Sequence, residues 1–330
     1  MQTFRALRVI EKGEGFFDQQ IVEQSVADLP DHDVLIRVLY SSLNYKDALS
    51  AHGNRGVTRQ FPHTPGIDAL GIVEESQDDS LTVGTKVIVT GYDLGMNTPG
   101  GFGEYIRVPS EWCVPVPPGQ TDAYWMALGT AGLTAALCVQ KLGLFVQPSQ
   151  EEILVTGATG GVGTVSVALL AKLGYRVAAV TGKVDHADML HRVGARRILD
   201  RDSLGEPSAK PMLKPQWAGA VDTVGGEVLN QVIKSLQYGG AVAACGMVAG
   251  HQFQASIFPF ILRGVNLLGV DSVELPLEAK AEMWRRLASE WAVPELLSCC
   301  QELSLEEMPA AIERIYQGKM SGRVILKHRH

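Results

Sequence analysis

The stretch LVTGATGGVG, residues 154–163, places four glycines in ten positions. It follows EILV, which is typical of a buried strand, and it opens VGTVSVALLAKLG, which is typical of a helix ended by Gly174. In this setting Gly160 allows backbone amides to approach a pyrophosphate, and Gly163 allows the helix to pack closely on the strand. The helix N-terminus adds unpaired N–H groups and partial positive charge. A nucleotide-binding turn is therefore favoured over a flexible turn.

Strands and helices alternate on both sides of this turn. The predicted strands are EILVTG, RVAAVTG, RRILD, AVDTVGG, AVAACGMV and VNLLGVDS, and the predicted helices are GGVGTVSVALLAKLG, HADMLHRVGA and EVLNQVIKSLQYGG. Near-continuous apolar strands in such an order predict an α/β fold with a doubly wound parallel sheet. The loop GEPSAKPMLKPQW, residues 205–217, carries three prolines and is predicted to replace one crossover helix.

The first third of the chain has a different character. FRALRVIEK, DVLIRVLYSSLN, GIDALGIVEES, GTKVIVTG and GEYIRVP are predicted strands, with one short helix, YKDALSAHG, ended by Gly53. TDAYWMALGTAGLTAALCVQKLG is predicted to be helical and broken at Gly129 and Gly132. The end of the chain adds two helices, LEAKAEMWRRLASEW and EEMPAAIERIYQG, and a strand, GRVILK, that returns to the first domain's sheet. We expect one domain over residues 1–125 and 274–330 and another over residues 126–273.

Bulk properties narrow the function. The chain has 330 residues, a formal net charge of −7 and 46% hydrophobic residues, so it carries no basic excess for nucleic-acid binding. No apolar run is long enough to span a membrane, and the N-terminus reads as a strand, not as a secretory signal. Five cysteines without CxxC spacing predict reduced thiols and a cytoplasmic protein.

The end of the second strand of the alternating region indicates which nucleotide binds. An NAD site usually places a carboxylate there to hold the ribose 2′-hydroxyl. This chain has Thr181, Gly182 and Lys183 instead, with Arg197 further on. Cationic and hydroxyl groups suit a 2′-phosphate, so we expect NADPH. The alternative is that Lys183 is a solvated surface lysine close to Asp185.

The motifs NYKDAL, PGIDALGIV, GGFGEYIRVP, GTAGLTAAL, GATGGVG and GRVIL, in this order, resemble the medium-chain dehydrogenase/reductase superfamily. VDTVGG, YGGAVAACG, PFILRGVNLLGVDSVELP and SGRVILK are most similar to its zinc-independent quinone-oxidoreductase-type branch, which includes bacterial acryloyl-CoA reductase. The resemblance spans almost the whole chain. It implies a GroES-like catalytic domain around a Rossmann domain, NADPH in the cleft and a homodimer. The cofactor contacts that it implies are Tyr45, Gly160, Gly161, Val162, Gly163, Thr181, Gly182, Lys183, Arg197, Met247, Ile261, Ser272 and Gln317.

The resemblance also predicts that the site holds no metal. Zinc enzymes of this superfamily take ligands from a Cys and a His where this chain has Asn44 and Ile67, and neither is a usable zinc ligand. The segment GYDLGMNTPGGFGEY also lacks the cysteines of a structural zinc lobe. Conjugate reduction fits such a site, because hydrogen-bond donors can hold the enolate charge without a Lewis acid.

The proton donor is left open among three candidates. Tyr45 is preferred, since a phenol beside the nicotinamide could donate to the enolate, although it could equally be a packing aromatic. Asn44 could donate to substrate or hold the helix cap, and Asp68 could relay a proton or pair with a base. Asp47 is expected to accept backbone hydrogen bonds, His63 has no assigned role, and His328 and His330 are expected in a frayed tail.

The expected reaction is reduction of an activated C=C bond, acryloyl-CoA to propanoyl-CoA, by NADPH. One alternative is a zinc-free quinone or enone oxidoreductase, and another is a non-catalytic NADPH-binding structural or sensor protein. A CoA substrate needs basic partners for its phosphates. Lys46, Arg55, Arg59 and Arg263 are candidates, but their spacing does not separate them from solvated surface residues.

Overall fold

The computed structural model describes residues 2–13, 15–204 and 208–329. Its strands are β1 (Thr3–Gly13), β2 (Phe16–Ser25), β3 (Val34–Ser42), β4 (Asp68–Ser76), β5 (Lys86–Thr90), β6 (Tyr105–Val108), β7 (Val114–Pro115), β8 (Glu152–Val155), β9 (Arg176–Thr181), β10 (Arg197–Asp200), β11 (Trp217–Asp222), β12 (Leu236–Ala244), β13 (Asn266–Gly269), β14 (Cys300–Leu303) and β15 (Arg323–Lys327). Its α-helices are α1 (Tyr45–Ala51), α2 (Asp122–Leu142), α3 (Gly161–Lys172), α4 (Ala187–Arg192), α5 (Gly226–Ser235), α6 (Phe258–Arg263), α7 (Leu277–Ala288) and α8 (Met308–Tyr316).

The chain divides into two compact units. The first contains Met1–Thr130, Val273–Ala288 and Cys300–His330, and the second contains Ala131–Ser272 and Ser289–Cys299. The first division follows the break of α2 at Gly129, whose backbone angles (φ 52°, ψ −154°) are not helical. Residues 289–299, which the sequence grouped with the first domain, lie in the second unit.

The first unit is built on β-strands. β1 and β2 form an antiparallel ribbon, and a second sheet has the order β14-β15-β3-β4-β5-β7, with β6 also paired to β3. β15 runs antiparallel to β3, so the last strand does return to the sheet of the first unit, as expected from GRVILK. Alternating inward side chains fill its core, among them Val34, Ile36 and Val38 of β3.

The second unit contains a six-stranded sheet in the order β10-β9-β8-β11-β12-β13. All pairings within it are parallel. With β8 counted as the first strand, this is the order 3-2-1-4-5-6 of dinucleotide-binding folds, in which ligands bind beyond the carboxyl ends of the strands. The predicted doubly wound parallel sheet is confirmed.

Several elements differ from the sequence expectations, and β2, α5 and α2 are examples. β2 was not predicted, because FFDQQIVEQS is largely polar and only partly buried along its length. α5 ends at Ser235, and the residues after it begin β12, so the predicted helix EVLNQVIKSLQYGG was too long. The predicted break at Gly132 is absent, since only Gly129 leaves the helical region within α2.

The structure also tests the predictions for the C-terminal tail and for the proline-containing loop. His328 is not frayed: it is 6% exposed, its backbone N–H donates to Leu39 O and its Nε2 lies 2.9 Å from Gly101 O. His330 lies outside the described residues, as do residues 205–207 of the proline-containing loop. The described remainder of that loop before β11, residues 208–216, contains no helix.

None of the helices in the described ranges is both long enough and apolar enough to cross a membrane.

Candidate active site

The head of α1 is fixed by a buried carboxylate. Asp47 Oδ2 accepts the backbone N–H of Asn44 at 2.7 Å, and Oδ1 accepts those of Gly66 and Ile67 at 3.1 and 2.9 Å. Burial raises the pKa of the Asp47 carboxyl to about 7, although these three hydrogen bonds favour its ionised form. The expected structural role of Asp47 is confirmed: it joins the start of α1 to the turn before β4.

Asn44 has no amide hydrogen left for a substrate. Its Nδ2 donates to Asp68 Oδ2 at 2.8 Å and to Ser42 O at 3.3 Å, and the side chain is buried. An amide nitrogen carries only two hydrogens. The geometry therefore supports a positioning role for Asn44, and it does not support direct donation to an enolate.

Asp68 is completely buried and accepts hydrogen bonds from every side. Besides the amide of Asn44, its donors are the Ser42 hydroxyl at 2.5 Å, the Thr130 hydroxyl at 2.5 Å and the Thr130 backbone N–H at 3.0 Å. A Cβ at Gly129 would lie 2.4 Å from Asp68 Oδ2, so the break of α2 requires glycine there. Of the two alternatives left open for Asp68, a direct hydrogen bond from a histidine or lysine is not seen among the described residues.

Arg323 is a member of this network that the sequence reasoning missed. It opens β15, is 3% exposed, and donates from Nη2 to Ser42 Oγ at 2.9 Å and from Nε to Ala127 O at 2.7 Å. Burial lowers the pKa of the Arg323 guanidinium, and the charge of Asp68 opposes that shift. The Ser42 hydroxyl thus links the two charged groups, because it donates to the Asp68 carboxylate and accepts from the Arg323 guanidinium. The basic residue of GRVILK was visible in the sequence, but its inward direction was not.

Tyr45 is the candidate that remains accessible. It is the first residue of α1 and is 42% exposed, whereas Asn44 is 9% and Asp68 0% exposed. Because Asn44 and Asp47 hold the helix that carries it, its position is well defined. Of the three predicted catalytic residues, only Tyr45 presents its side chain outward.

At the two positions where the resemblance implies metal ligands in the zinc enzymes, this chain has Asn44 and the buried side chain of Ile67. Across the described residues, no three His, Cys, Asp or Glu side chains are grouped so that they could hold a metal ion. An alkyl side chain and an amide whose hydrogens are already bonded do not form a zinc donor set.

The glycine-rich turn of the second unit has the expected strand–turn–helix form. Gly160 is the N-cap of α3, and a Cβ at Gly163 would lie 2.3 Å from Gly157 O. Gly161 and Val162 form the first turn of the helix, so their backbone N–H groups lack helical partners. The turn can therefore accept a pyrophosphate against its backbone.

The tip of β9 is tied to this turn by a hydrogen bond between the hydroxyls of Thr159 and Thr181 at 2.9 Å. Thr181 Oγ1 also accepts the backbone N–H of Lys183 at 3.0 Å. Burial lowers the pKa of the Lys183 ammonium, and the Asp185 carboxylate opposes the shift. Thr181, Gly182 and Lys183 thus lie beside the glycine-rich turn, as the sequence implied.

The structure does not bring Arg197 to this tip. Arg197 pairs with Ala178, three residues before Thr181, which places it roughly 10 Å back along the sheet. Its guanidinium donates to Glu152 Oε2 at 2.6 Å and lies over the ring of Trp217. This correction follows from strand direction, because Arg197 begins β10 and so lies at the amino ends of the parallel strands.

Arg201 occupies the place expected for Arg197. It follows the last residue of β10, and its Nη2 would lie 2.2 Å from a Cβ at Gly182. Its exposed guanidinium therefore joins Lys183 at the carboxyl ends of the strands. The available signal was its position directly after the strand RILD.

The other implied cofactor residues lie on separate elements. Met247, after β12, and Ile261, in α6, are each 65% exposed, and Ser272 is buried with its hydroxyl 2.7 Å from that of Thr134. Gln317 belongs to the first unit, where it follows α8 and donates its amide to Glu313.

Comparison with known proteins places the chain in a family. Residues 30–118 match the alcohol dehydrogenase GroES-like domain, and residues 161–289 match the domain described as zinc-binding dehydrogenase. The acrylyl-CoA reductase AcuI of Ruegeria pomeroyi is 42% identical over 98% of both chains. YhfP of Bacillus subtilis, which carries a provisional quinone oxidoreductase name, is 43% identical over 98% of both.

Solved structures give the same answer. The yhdH oxidoreductase of Salmonella enterica, in complex with NADP, is 41% identical with a TM-score of 0.94 and covers 98% of this chain and 100% of its own. YhfP with NAD bound is 42% identical with a TM-score of 0.95 over 99% of this chain and 100% of its own.

The chain belongs to the medium-chain dehydrogenase/reductase superfamily, with a GroES-like domain and a Rossmann domain. Within the superfamily it falls in the acrylyl-CoA reductase-like branch, which the sequence motifs predicted.

Proposed function

We propose that this protein is an NADPH-dependent reductase that converts acryloyl-CoA to propanoyl-CoA. The observation that carries the proposal is 42% identity to an acrylyl-CoA reductase over 98% of both chains. The site agrees with it, because an exposed phenol stands on a helix held by Asn44 and Asp47, and conjugate reduction needs hydrogen-bond donors and no Lewis acid.

The second unit supplies the cofactor site in this proposal. The turn from Gly160 to Gly163 holds the pyrophosphate on backbone N–H groups, and Lys183, Arg201 and the Thr181 hydroxyl hold the 2′-phosphate. Bound NADPH supplies the hydride. An NADP complex of a relative with a TM-score of 0.94 supports this choice of cofactor.

The first unit supplies the groups that act on the substrate. Tyr45 donates a hydrogen bond to the oxygen of the enolate that forms when hydride adds to the β-carbon, and carbon α then gains a proton from the Tyr45 phenol or from water. Asn44, Asp68 and Arg323 position α1 and hold the charges of the network away from solvent. Binding and orientation of the substrate are the protein's remaining contribution.

A steady-state assay tests the proposal. NADPH oxidation should show a far higher kcat/KM with acryloyl-CoA than with benzoquinones. The second candidate, a zinc-free quinone or enone reductase, is favoured by the provisional name of YhfP at 43% identity, and a higher kcat/KM with quinones would establish it. Tight NADPH binding without turnover of any acceptor would support the third possibility, a structural or sensor protein.

We also propose a homodimer that pairs through the edge of the second unit's sheet. β13 forms that edge, its sequence NLLG has no charged residue, and Leu267 within it is 40% exposed. Ile261 and Leu262 of α6 are 65% and 57% exposed. An open apolar edge strand pairs readily with another strand. When the same edge strands of two protomers pair, they are related by a twofold axis and the assembly is a closed dimer.

The proposed location is the cytoplasm. The five cysteines, Cys113, Cys138, Cys245, Cys299 and Cys300, are all free thiols, and reduced cysteines are typical of that compartment. Fractionation of the native cells followed by immunodetection tests this location.

A further inference from the structure

The four basic residues considered as partners for CoA phosphates differ sharply in their surroundings. Arg263 is fully used within the second unit: Nη1 donates to the carbonyls of Lys234 and Leu236 at 2.9 and 3.2 Å, and Nη2 donates to Leu213 O at 2.6 Å. Its role is to clamp the ends of α5 and β12. It has little capacity left for an incoming phosphate.

Arg55 is also engaged. Its Nη2 pairs with Glu11 Oε1 at 2.7 Å, Nη1 donates to Arg59 O at 2.9 Å, and the guanidinium lies 5.1 Å from the centre of the Phe61 ring. Its charge is therefore already compensated by a carboxylate, and its hydrogen bonds shape the loop that carries Arg59.

Lys46 and Arg59 remain, and one loop brings them together. Lys46 Nζ lies 3.8 Å from Met96 Sδ, and the backbone N–H of Arg59 donates to the side chain of the next residue, Asn97, at 3.1 Å. Asn97 is itself held by Asp93 Oδ1 at 2.8 Å. The ammonium of Lys46 and the backbone of Arg59, 13 positions apart in sequence, thus contact consecutive residues of one loop.

Neither cation is neutralised by a protein carboxylate. Within the part of the chain that the structure describes, Lys46 and Arg59 form no ion pair, and the only acceptor near Lys46 Nζ is a thioether sulfur. Arg59 is exposed and Lys46 half-buried. In a chain with a net charge of −7, such a pair is a local site for anions.

The pair is continuous with the catalytic helix. Lys46 follows Tyr45 in the first turn of α1, the turn held by Asp47. A substrate whose reacting end meets Tyr45 can therefore extend across the Met96–Asn97 loop towards Arg59. A CoA thioester fits this arrangement, because its phosphate groups are joined to the reacting acyl group through a long flexible arm.

We propose that Lys46 and Arg59 form the binding site for the phosphate groups of the substrate's CoA portion. Lys46 acts as a point charge for the pyrophosphate, and Arg59 binds the 3′-phosphate through paired N–H groups. The inference rests on the proposed function. It adds that Lys46 and Arg59 make the enzyme prefer a CoA thioester over quinones and over thioesters without a nucleotide.

The test measures binding and turnover separately. Calorimetric titration of CoA into the NADP-saturated protein, which blocks the dinucleotide site, should show binding that weakens about tenfold in Lys46→Gln and in Arg59→Gln. Dephospho-CoA should bind the wild-type protein as weakly as CoA binds Arg59→Gln. Arg285→Gln removes an exposed charge on α7 that pairs with Glu282, and it should bind CoA as the wild type does.

The turnover arm compares acryloyl-CoA with acryloyl-pantetheine. The KM for acryloyl-CoA should rise about tenfold in both variants, and the KM for acryloyl-pantetheine should stay within twofold of the wild type. Unchanged CoA binding in both variants, or equal losses for the two thioesters, would overturn the inference. The protein could bind CoA through both residues and yet not reduce acryloyl-CoA. That result would retain this binding site and reject the proposed function.

Discussion

Arg201 lies so close to Gly182 that a Cβ on this glycine would be 2.2 Å from its Nη2. Gly182 separates Thr181 at the end of β9 from Lys183, so the absence of a side chain there admits a second cation to the tip. Lys183 and Arg201 follow the ends of different strands, β9 and β10, and they lie at the same tip because these strands run parallel.

Replacing Arg201 by Ala should weaken NADPH binding about ten- to hundredfold, since a charge-assisted hydrogen bond contributes about 1.5–3 kcal/mol. NADH, which lacks the 2′-phosphate, should bind the variant as it binds the wild type. Fluorescence titration with both nucleotides measures this. The matched control is Arg197→Ala, whose guanidinium is bonded to Glu152; a loss of NADPH affinity in that variant alone would contradict the assignment.

Lys183 should make NADPH affinity depend on pH. Burial lowers its pKa from the ordinary value of 10.5, and only the protonated amine attracts the 2′-phosphate. Affinity for NADPH should therefore fall as the pH rises from neutrality towards 10.5, while affinity for NADH stays level. Lys183→Met should flatten the NADPH curve, and Lys183→Glu should shift preference towards NADH. A wild-type curve identical to that of Lys183→Met would exclude the contact.

Tyr45→Phe should lower kcat with acryloyl-CoA on the order of a hundredfold, because it removes the proposed proton donor. The Kd for NADPH should change little, since the ring remains. Stopped-flow measurement of NADPH oxidation separates the chemical step from product release. Tyr238→Phe serves as the control at a phenol that is 85% exposed. If kcat is the same in both variants, the proton comes from another group or from water.

Arg323→Met should destabilise the first unit by about 3–5 kcal/mol, because Asp68 would keep a buried charge without its cation. Differential scanning calorimetry, with the two units followed as separate transitions, measures the loss. Arg285→Met removes the partner of Glu282 at a side chain that is 65% exposed in the same unit, and it should cost no more than about 1 kcal/mol. Similar losses in the two variants would show that the Ser42-linked network carries no special stability.

Leu267→Arg should convert the proposed homodimer to a monomer, because it places a charge on the open edge of β13. Light scattering after size-exclusion chromatography gives the mass directly. Val83→Arg, at a 66% exposed position of the first unit, should leave the mass unchanged. A wild-type protein that elutes as a monomer would reject the homodimer outright.

The elements that the sequence predicted well are those with strong local patterns. Apolar runs between glycines identified the parallel strands. The spacing of Gly160 and Gly163 between a strand and a helix predicted a nucleotide-binding turn. The break at Gly129 was visible as well, although the reason for it, a close approach to Asp68, requires the fold.

The failures at the candidate site concern contacts between segments that are distant in sequence. Arg197 and Arg201 are four positions apart, and only the register of β10 on β9 decides which one reaches the tip. The inward direction of Arg323 depends likewise on β15 joining β3. His328 is buried for the same reason, as its backbone continues along β3 to Leu39.

The saturated amide of Asn44 also limits how this scaffold could evolve. A mutation to Cys at this position would supply one thiolate but would remove the donor to Asp68 at 2.8 Å, while the alkyl group of Ile67 still offers no second ligand. Conversion of this site to a zinc centre would thus need several substitutions together, because a catalytic zinc takes three protein ligands. A single substitution therefore leaves the site without a metal donor set.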